Sequence, residues 1–177
     1  MVLEKKWYAL LTRSRFENVV TEAIQKKSID CFLPKIKVLS KRRDRKKIID
    51  VPMFPGYLFV NISLAPKEYL DVVKTVGAVR LLGTHSCPIP VSEQHIESLK
   101  IITGAETEVI TGINSSLRQG EPVMVVNGHM AGIKGEFVTH KGRGRVIIRV
   151  EALGQFAGVE IDVADLEKLP SPTFITP

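Results

Sequence analysis

Arg45-Lys46-Lys47-Ile48-Ile49-Asp50-Val51-Pro52-Met53-Phe54-Pro55-Gly56-Tyr57-Leu58, running on into Phe59-Val60, is the stretch on which the fold turns. A basic run gives way to a Pro-aromatic-Pro-Gly-aromatic corner, and the corner opens directly into an apolar strand. Pro55 fixes one backbone torsion and Gly56 permits an unusual one, so the corner is stiff and placed. Phe54 and Tyr57 flank it, two large rings on a constrained turn, which suits the presentation of an aromatic patch to a partner. Tyr57 to Ile62 is apolar at both sets of alternating positions, as a central strand would be.

On either side of this corner the pattern predicts an α+β domain. Trp7 to Leu11 reads as a first strand. Ser14-Arg15-Phe16-Glu17 matches a capping box, and Phe16, Val19, Val20, Ala23, Ile24 and Lys27 follow at helical spacing. Ile29 to Leu39 is strand-like, and the basic segment 40–47 reads as the tip of a hairpin. Pro66 opens a second helix with Tyr69, Leu70, Val72, Val73 and Val76 inward, stopped by Gly77. Ala78 to Leu82 is another strand, and Ser92 caps a third helix that carries Ile96, Leu99 and Ile102 and ends at Gly104. The order β-α-β-β-α-β with an extra helix predicts a ferredoxin-like sandwich over residues 1–104.

Ala105 to Leu117 has no clear period and contains Gly112, Asn114, Ser115 and Ser116, so residues 105–117 read as a linker. Beyond it Val123 and Val125 alternate, Val146 to Val150 forms a short run, and Val159, Ile161 and Val163 alternate again. Eight glycines between Gly120 and Gly158 punctuate these segments. Short strands with glycine turns over residues 118–170 predict a small closed β-barrel. Residues 171–177 are expected to be a disordered tail.

Charge separates the two parts further. Residues 1–50 hold 14 Lys and Arg against 6 Asp and Glu, while the other 127 residues are slightly acidic. Lys35 to Lys47 alone contains eight bases and one acid, Asp44. Such asymmetry points to a local nucleic-acid contact, the alternative being a solvated hairpin tip. At 44% hydrophobic and 25% charged residues the chain reads as soluble and globular, with no run near the roughly 18–20 apolar residues of a membrane span. Cys31 and Cys87 have no metal-like spacing and read as two thiols of a reducing cytoplasm. No nucleophile, P-loop or metalloprotease pattern occurs, and His85, His95, His129 and His140 are scattered. The basic stretch Lys141-Gly142-Arg143-Gly144-Arg145 leads into a strand and not into a helix whose N-terminus would face a phosphate. The expectation is a cytoplasmic monomer that is not an enzyme and takes no cofactor or metal.

With these segments in place, the chain resembles the NusG family of transcription factors over nearly its whole length. Trp7-Tyr8, Phe54-Pro55-Gly56-Tyr57 and Pro88-Ile89-Pro90-Val91-Ser92 fit the NusG N-terminal (NGN) domain. Gly120 to Gly135, with Val123-x-Val125-x-Asn127-Gly128, looks like the KOW motif of the family's SH3-like C-terminal barrel. Glu160-Ile161-Asp162 and Leu166-Glu167-Lys168-Leu169 fit the end of that barrel. The segment Asp44 to Val60 is closest to UpxY-type antiterminators, so the chain looks like a specialised RfaH- or UpxY-like paralogue.

The resemblance implies an operon-specific elongation and antitermination regulator. Its NGN domain would grip the β′ clamp helices of RNA polymerase and suppress pausing or termination. Trp7, Leu11, Phe54, Tyr57 and Phe59 match the apolar contact positions. Tyr57 and Phe59, two apart, share a strand face; filling the domain's own core is the other role open to these rings. Arg13 and Arg15, with Lys41, Arg42 and Arg43, match basic surface facing nucleic acid, the non-template DNA strand above all. Glu68 to Thr75 lacks the pattern by which RfaH meets the polymerase gate loop. Ala152, Leu153 and Gln155 fall in the loop by which such barrels bind Rho or the ribosomal protein NusE. Leu153 keeps the apolar knob, Gln155 lacks the family's arginine charge, and His129-Met130 replace the usual Pro-Phe; this points away from Rho and leaves the ribosome. Two other readings stay open: a general NusG that also recruits Rho, and a KOW-type RNA- or ribosome-binding module.

Overall fold

The computed structural model describes residues 4–39, 47–84, 87–105, 110–113, 120–140, 143–150, 153–162 and 165–169. The hairpin tip with Lys41, Arg42 and Arg43, together with Ala152 and the tail, lies outside them. Two compact units divide the chain: Met1–Glu93 with Glu151–Leu153, and Gln94–Val150 with Gly154–Pro177.

In the first unit the elements are β1 (Lys6–Thr12), α1 (Glu17–Gln25), β2 (Asp30–Phe32), β3 (Lys35–Leu39), β4 (Ile48–Pro52), β5 (Tyr57–Ile62), α2 (Pro66–Val73), β6 (Ala78–Leu81), β7 (Gly83–Thr84), β8 (Cys87–Pro88) and β9 (Pro90–Val91). The main antiparallel sheet runs β2-β5-β1-β6, with β9 also paired to β1. With the β3–β4 ribbon set aside, this is the β-α-β-β-α-β order expected from the sequence. β5 is central, as its two apolar faces predict. Its even-numbered residues Leu58, Val60 and Ile62 meet Tyr8 and Leu10 of β1, Leu81 of β6, Val20 and Ile24 of α1 and Val72 of α2 in one buried cluster. Burying each such aliphatic side chain is worth about 1.5–3 kcal/mol.

Three local expectations change. The strand read over Ile29 to Leu39 breaks at Leu33-Pro34. β2 stays in the main sheet, while β3 leaves it and pairs with β4 in a separate ribbon, Lys37 opposite Asp50. The capping box does not form: Phe16 occupies the N-cap without a side-chain cap bond, and the Glu17 carboxylate accepts the Gly56 N–H at 2.7 Å. In the second helix Val72 turns inward, but Tyr69 and Leu70 are exposed, and Val76 lies beyond the helix end at 74% exposure. Eight helical residues offer only about two turns, too few for the whole apolar set to face the sheet.

The second unit holds α3 (Glu93–Gly104), whose first residue belongs to the first unit, and strands β10 (Ile110–Ile113), β11 (Pro122–Val125), β12 (Lys134–His140), β13 (Arg143–Val150), β14 (Gln155–Glu160) and β15 (Leu166–Lys168). Its sheet runs β10-β14-β13-β12-β11-β15. The expected closed barrel is not found: among the described residues no pairing joins the end strands β10 and β15. The edge of β14 that closure would use is taken by β10, a strand inside the stretch read as linker, with Gly112 opposite Phe156. Val123, Val125, Ile133, Val146, Ile148 and Val159 are buried. Cross-strand ion pairs Arg145–Glu160 at 2.8 Å and Arg149–Glu136 at 2.6 Å tie β13 to its two neighbours. The Ser98 hydroxyl of α3 accepts the Lys134 N–H at 3.0 Å and donates to the Lys134 carbonyl at 3.3 Å, which fixes the helix to the start of β12. No helix among the described residues is long and apolar enough to cross a membrane.

The start of α2 carries a pH-dependent contact. Glu68 accepts the Ser63 hydroxyl at 2.6 Å and the Ser63 N–H at 2.8 Å, with Lys5 at 3.4 Å. The Ser63 bonds, chiefly, and then Lys5 hold its carboxyl below the usual glutamate range. The charged form is therefore favoured in the folded state. Its stabilisation is present above the unfolded glutamate value and is lost as pH falls through the folded one. Glu68→Gln is expected to melt below the wild type at neutral pH. Melting curves taken at falling pH should show that gap closing once the wild-type carboxyl is protonated; a gap of constant size would contradict the assignment.

Candidate docking face

Three hydrogen bonds hold the corner from both sides. The Gly56 carbonyl accepts the Thr12 N–H at 2.8 Å and the Thr12 hydroxyl at 3.2 Å, while the Gly56 N–H goes to Glu17. Tyr57 N–H closes the turn on the Phe54 carbonyl at 3.0 Å, and Gly56 has φ of +83°. Proline followed by a glycine of positive φ is the pattern of a type II turn, which a β-carbon at the second position would strain. Glu17 is buried, and as the first residue of α1 its charge lies at the positive end of the helix dipole. A second turn fastens the same segment: Arg13 N–H donates to the Gly77 carbonyl at 2.8 Å. The Phe16 ring lies where a β-carbon on Gly77 would be, 2.5 Å from its Cδ1. Residues 12–17 are thus pinned between two glycine turns.

The pinned corner sets the side chains of the odd-numbered sheet positions, which point away from the α1 and α2 cluster. The registers place them in rows. Tyr57 stands opposite Leu11, and Leu11 opposite Arg80. Ala9 stands opposite Phe59, and Phe59 opposite Phe32. Trp7 lies between Asn61 and Val91, and Asn61 stands opposite Asp30. Phe54 folds back from the corner and meets Phe59 edge-on, ring centroids 6.3 Å apart at 89°, while Phe32 stacks on Phe59 at 6.3 Å and 23°.

The five apolar residues singled out from the sequence therefore come together, four on one sheet face and Phe54 on Phe59. Their exposure differs. Phe54 and Phe59 are fully buried, while Trp7, Leu11 and Tyr57 are half-buried. The first two take the core-filling role within this chain, and the other three form its accessible part. Arg13 and Arg15 are exposed beside the corner, Arg15 with φ of +65°. Lys35 and Lys37 are exposed on the β3–β4 ribbon. In the other sheet Leu153 and Gln155 are both half-buried. Sequence reasoning missed Thr12 and Glu17 as clamps, because Glu17 fits a helix cap equally well. It also missed Phe32, Arg80, Asn61 and Asp30, which only the strand registers bring to this face.

The family model described as transcription termination factor NusG matches residues 5–100. Among characterised proteins, the transcription termination/antitermination protein NusG of Thermus thermophilus is 26% identical over 180 residues, covering 92% of this chain and 98% of its own. Its counterpart in Bacillus subtilis is 26% identical over 180 residues, covering 94% of this chain and 100% of its own. Among solved structures, a study of domain interaction in Thermotoga maritima NusG gives a similar fold, with a TM-score of 0.52 at 22% identity, over 96% of this chain and 100% of that one.

Burial separates two kinds of aromatic residue here. Phe59→Ala is expected to cost about 3–5 kcal/mol of stability, the range for a buried ring replaced by a cavity. Tyr57→Ala should cost clearly less, since its side chain is not enclosed. Urea unfolding of the two variants measures the difference, and equal losses would mean that Tyr57 is also a core residue.

Proposed function

The chain belongs to the NusG family of transcription termination factors, and from that premise we propose that it is an elongation and antitermination regulator that rides on RNA polymerase, dedicated to particular operons. The observation that carries this reading is the shared face of Trp7, Leu11, Tyr57 and Phe59, with Phe54 packed on Phe59. A half-buried apolar strip on a rigid sheet, anchored by a clamped turn, suits a helical partner. The β′ clamp helices of the polymerase are that partner here. Phe54 and Phe59 support the face from within, and Trp7, Leu11 and Tyr57 make the contact. Rigid aromatic anchors of this kind commonly contribute about 2 kcal/mol or more each to binding. Docking there favours the closed, processive enzyme and suppresses pausing.

Charge supports a second contact. Exposed Arg13 and Arg15 beside the corner, and Lys35 and Lys37 on the ribbon that leads to Lys41, Arg42 and Arg43, form a basic flank. A protein held on the polymerase by its aromatic face would bring this flank toward the non-template DNA strand. The second unit is the family's KOW domain, with an SH3-like strand set. Leu153 and Gln155, with Ala152, are its contacts to the ribosomal protein NusE, and the uncharged Gln155 disfavours Rho.

The experiment is binding of the full-length protein to RNA polymerase core enzyme, with circular dichroism as the control for folding. Leu11→Ala combined with Tyr57→Ala should lower affinity at least tenfold and leave the spectrum unchanged. A folded double variant that binds like the wild type would remove the face from the interface. On the elongation complex, neutralising Lys35 and Lys37 with Arg13 and Arg15 should flatten the salt dependence of binding, because fewer counterions are released. An unchanged slope would return these residues to solvent.

A further inference from the structure

The proposed docking face has two unlike ends. Its middle is apolar: Leu11, Ala9, Phe59, Phe32 and Trp7. At the corner end the row closes on the exposed Arg80, with Arg13 and Arg15 in the adjoining turn. At the opposite end Asn61 lies between Trp7 of β1 and Asp30 of β2. Asp30 is exposed. The Asn61 Oδ1 atom is shut off from solvent and has no hydrogen-bond partner among the described residues.

An acceptor in that state is costly to the fold, about 1–3 kcal/mol for a buried polar group without a partner. An apolar residue of similar size would remove the cost. An orphaned acceptor at the rim of a contact surface therefore points to a donor brought by something else. Asp30 beside it decides the donor's charge: a cation satisfies both groups, whereas a neutral donor leaves the carboxylate without a counter-charge. At the other end Arg80 calls for an anion.

Resting on the docking reading above, we infer that Asn61 and Asp30 receive a basic side chain of the partner helix while Arg80 receives an acidic one, so that the two ends fix the direction in which that helix lies across the sheet. From Leu11 to Trp7 is four strand residues, about 13 Å. On an α-helix the same span is about nine residues. The partner segment is thus an amphipathic helix with an acidic residue and an arginine or lysine about nine positions apart, flanking one apolar stripe. Asn61 is a specificity-determining residue in this arrangement: it adds little to the apolar area, but it penalises a helix that presents the wrong end, because its acceptor then stays unpaired.

The test titrates full-length protein against the core RNA polymerase of its own host, with Tyr57→Ala as the reference variant. Asn61→Leu is expected to lower affinity about tenfold, as loss of a hydrogen bond to a charged donor does. Its melting temperature should stay the same or rise, a combination that a merely structural asparagine would not give. Asp30→Lys, at an exposed position that tolerates the change, should lower affinity by a similar factor, and so should Arg80→Glu. A fall in melting temperature for Asn61→Leu would assign Asn61 to the fold and overturn its role. If Asn61→Leu does not fold, Asp30→Lys decides: wild-type affinity there overturns the inference. If both bind like the wild type while Tyr57→Ala does not, the polarity of the face is overturned and the docking reading stands. If Tyr57→Ala also binds like the wild type, the docking reading fails and takes this inference with it.

Discussion

The Glu17 carboxylate takes the Gly56 N–H at 2.7 Å, and Thr12 gives two donors to the Gly56 carbonyl from the other side. One peptide corner is thereby gripped through both of its polar groups by residues at the end of β1 and the start of α1. The constraint spreads in two directions. Toward β5 it fixes where the strand begins, and so which side chains of Tyr57 to Ile62 face the helices. Toward α1 it sets the entry of the helix, because Glu17 is its first residue and Phe16 covers Gly77. A register slip of one residue would exchange the two faces of β5 and bury Tyr57 and Asn61 where Leu58 and Val60 belong. A buried charge normally costs stability. Here it is offset by the amide it accepts and by its place in the first turn of a helix.

The aromatic residues around the corner divide into supports and contacts. Phe54 and Phe59 fill space, with Phe32 stacked behind them. Their burial makes the sheet face stiff, and stiffness lowers the entropy lost when a partner docks. Trp7, Leu11 and Tyr57 keep part of their surface in solvent. In the proposed function the same packing that stabilises the first unit also prepares its contact strip. A mutation in the supports therefore lowers stability and binding together, while one in the contacts lowers binding alone.

The second unit reaches a comparable order by other means. β13 carries Val146, Ile147 and Ile148 in succession, all buried, so both of its faces are covered. Its arginines are paired with glutamates on β14 and β12. β10 adds to the outer edge of β14 and so covers backbone groups that would otherwise lie open to strand pairing with another chain.

Much of the first unit was legible in the sequence because local signals there agree with one another. Pro55-Gly56 fixes a turn by backbone torsion alone, the two apolar faces of Tyr57 to Ile62 require a central strand, and Pro66 and Gly77 bracket a helix. The basic flank and the aromatic cluster were legible by composition and spacing. What stayed hidden depends on partners distant in the chain. Glu17 fits a cap three residues away as well as a turn 39 residues away, and only the folded chain chooses between them. Tyr69 and Leu70 have the spacing of an inward face, but a helix of eight residues gives the sheet room for few of them. Ile110 to Ile113 lacks a strand's periodicity because its pairing comes from the exposed edge of β14, which no local pattern records. The sequence by itself determined the element order, the stiff corner and the candidate contact residues, since each rests on torsions or periodicity within a few residues. Only the tertiary structure decided which rings are buried, what grips Gly56, and that Arg80 and Asn61 mark opposite ends of one face, since each of these depends on strand registers set by side chains tens of residues apart.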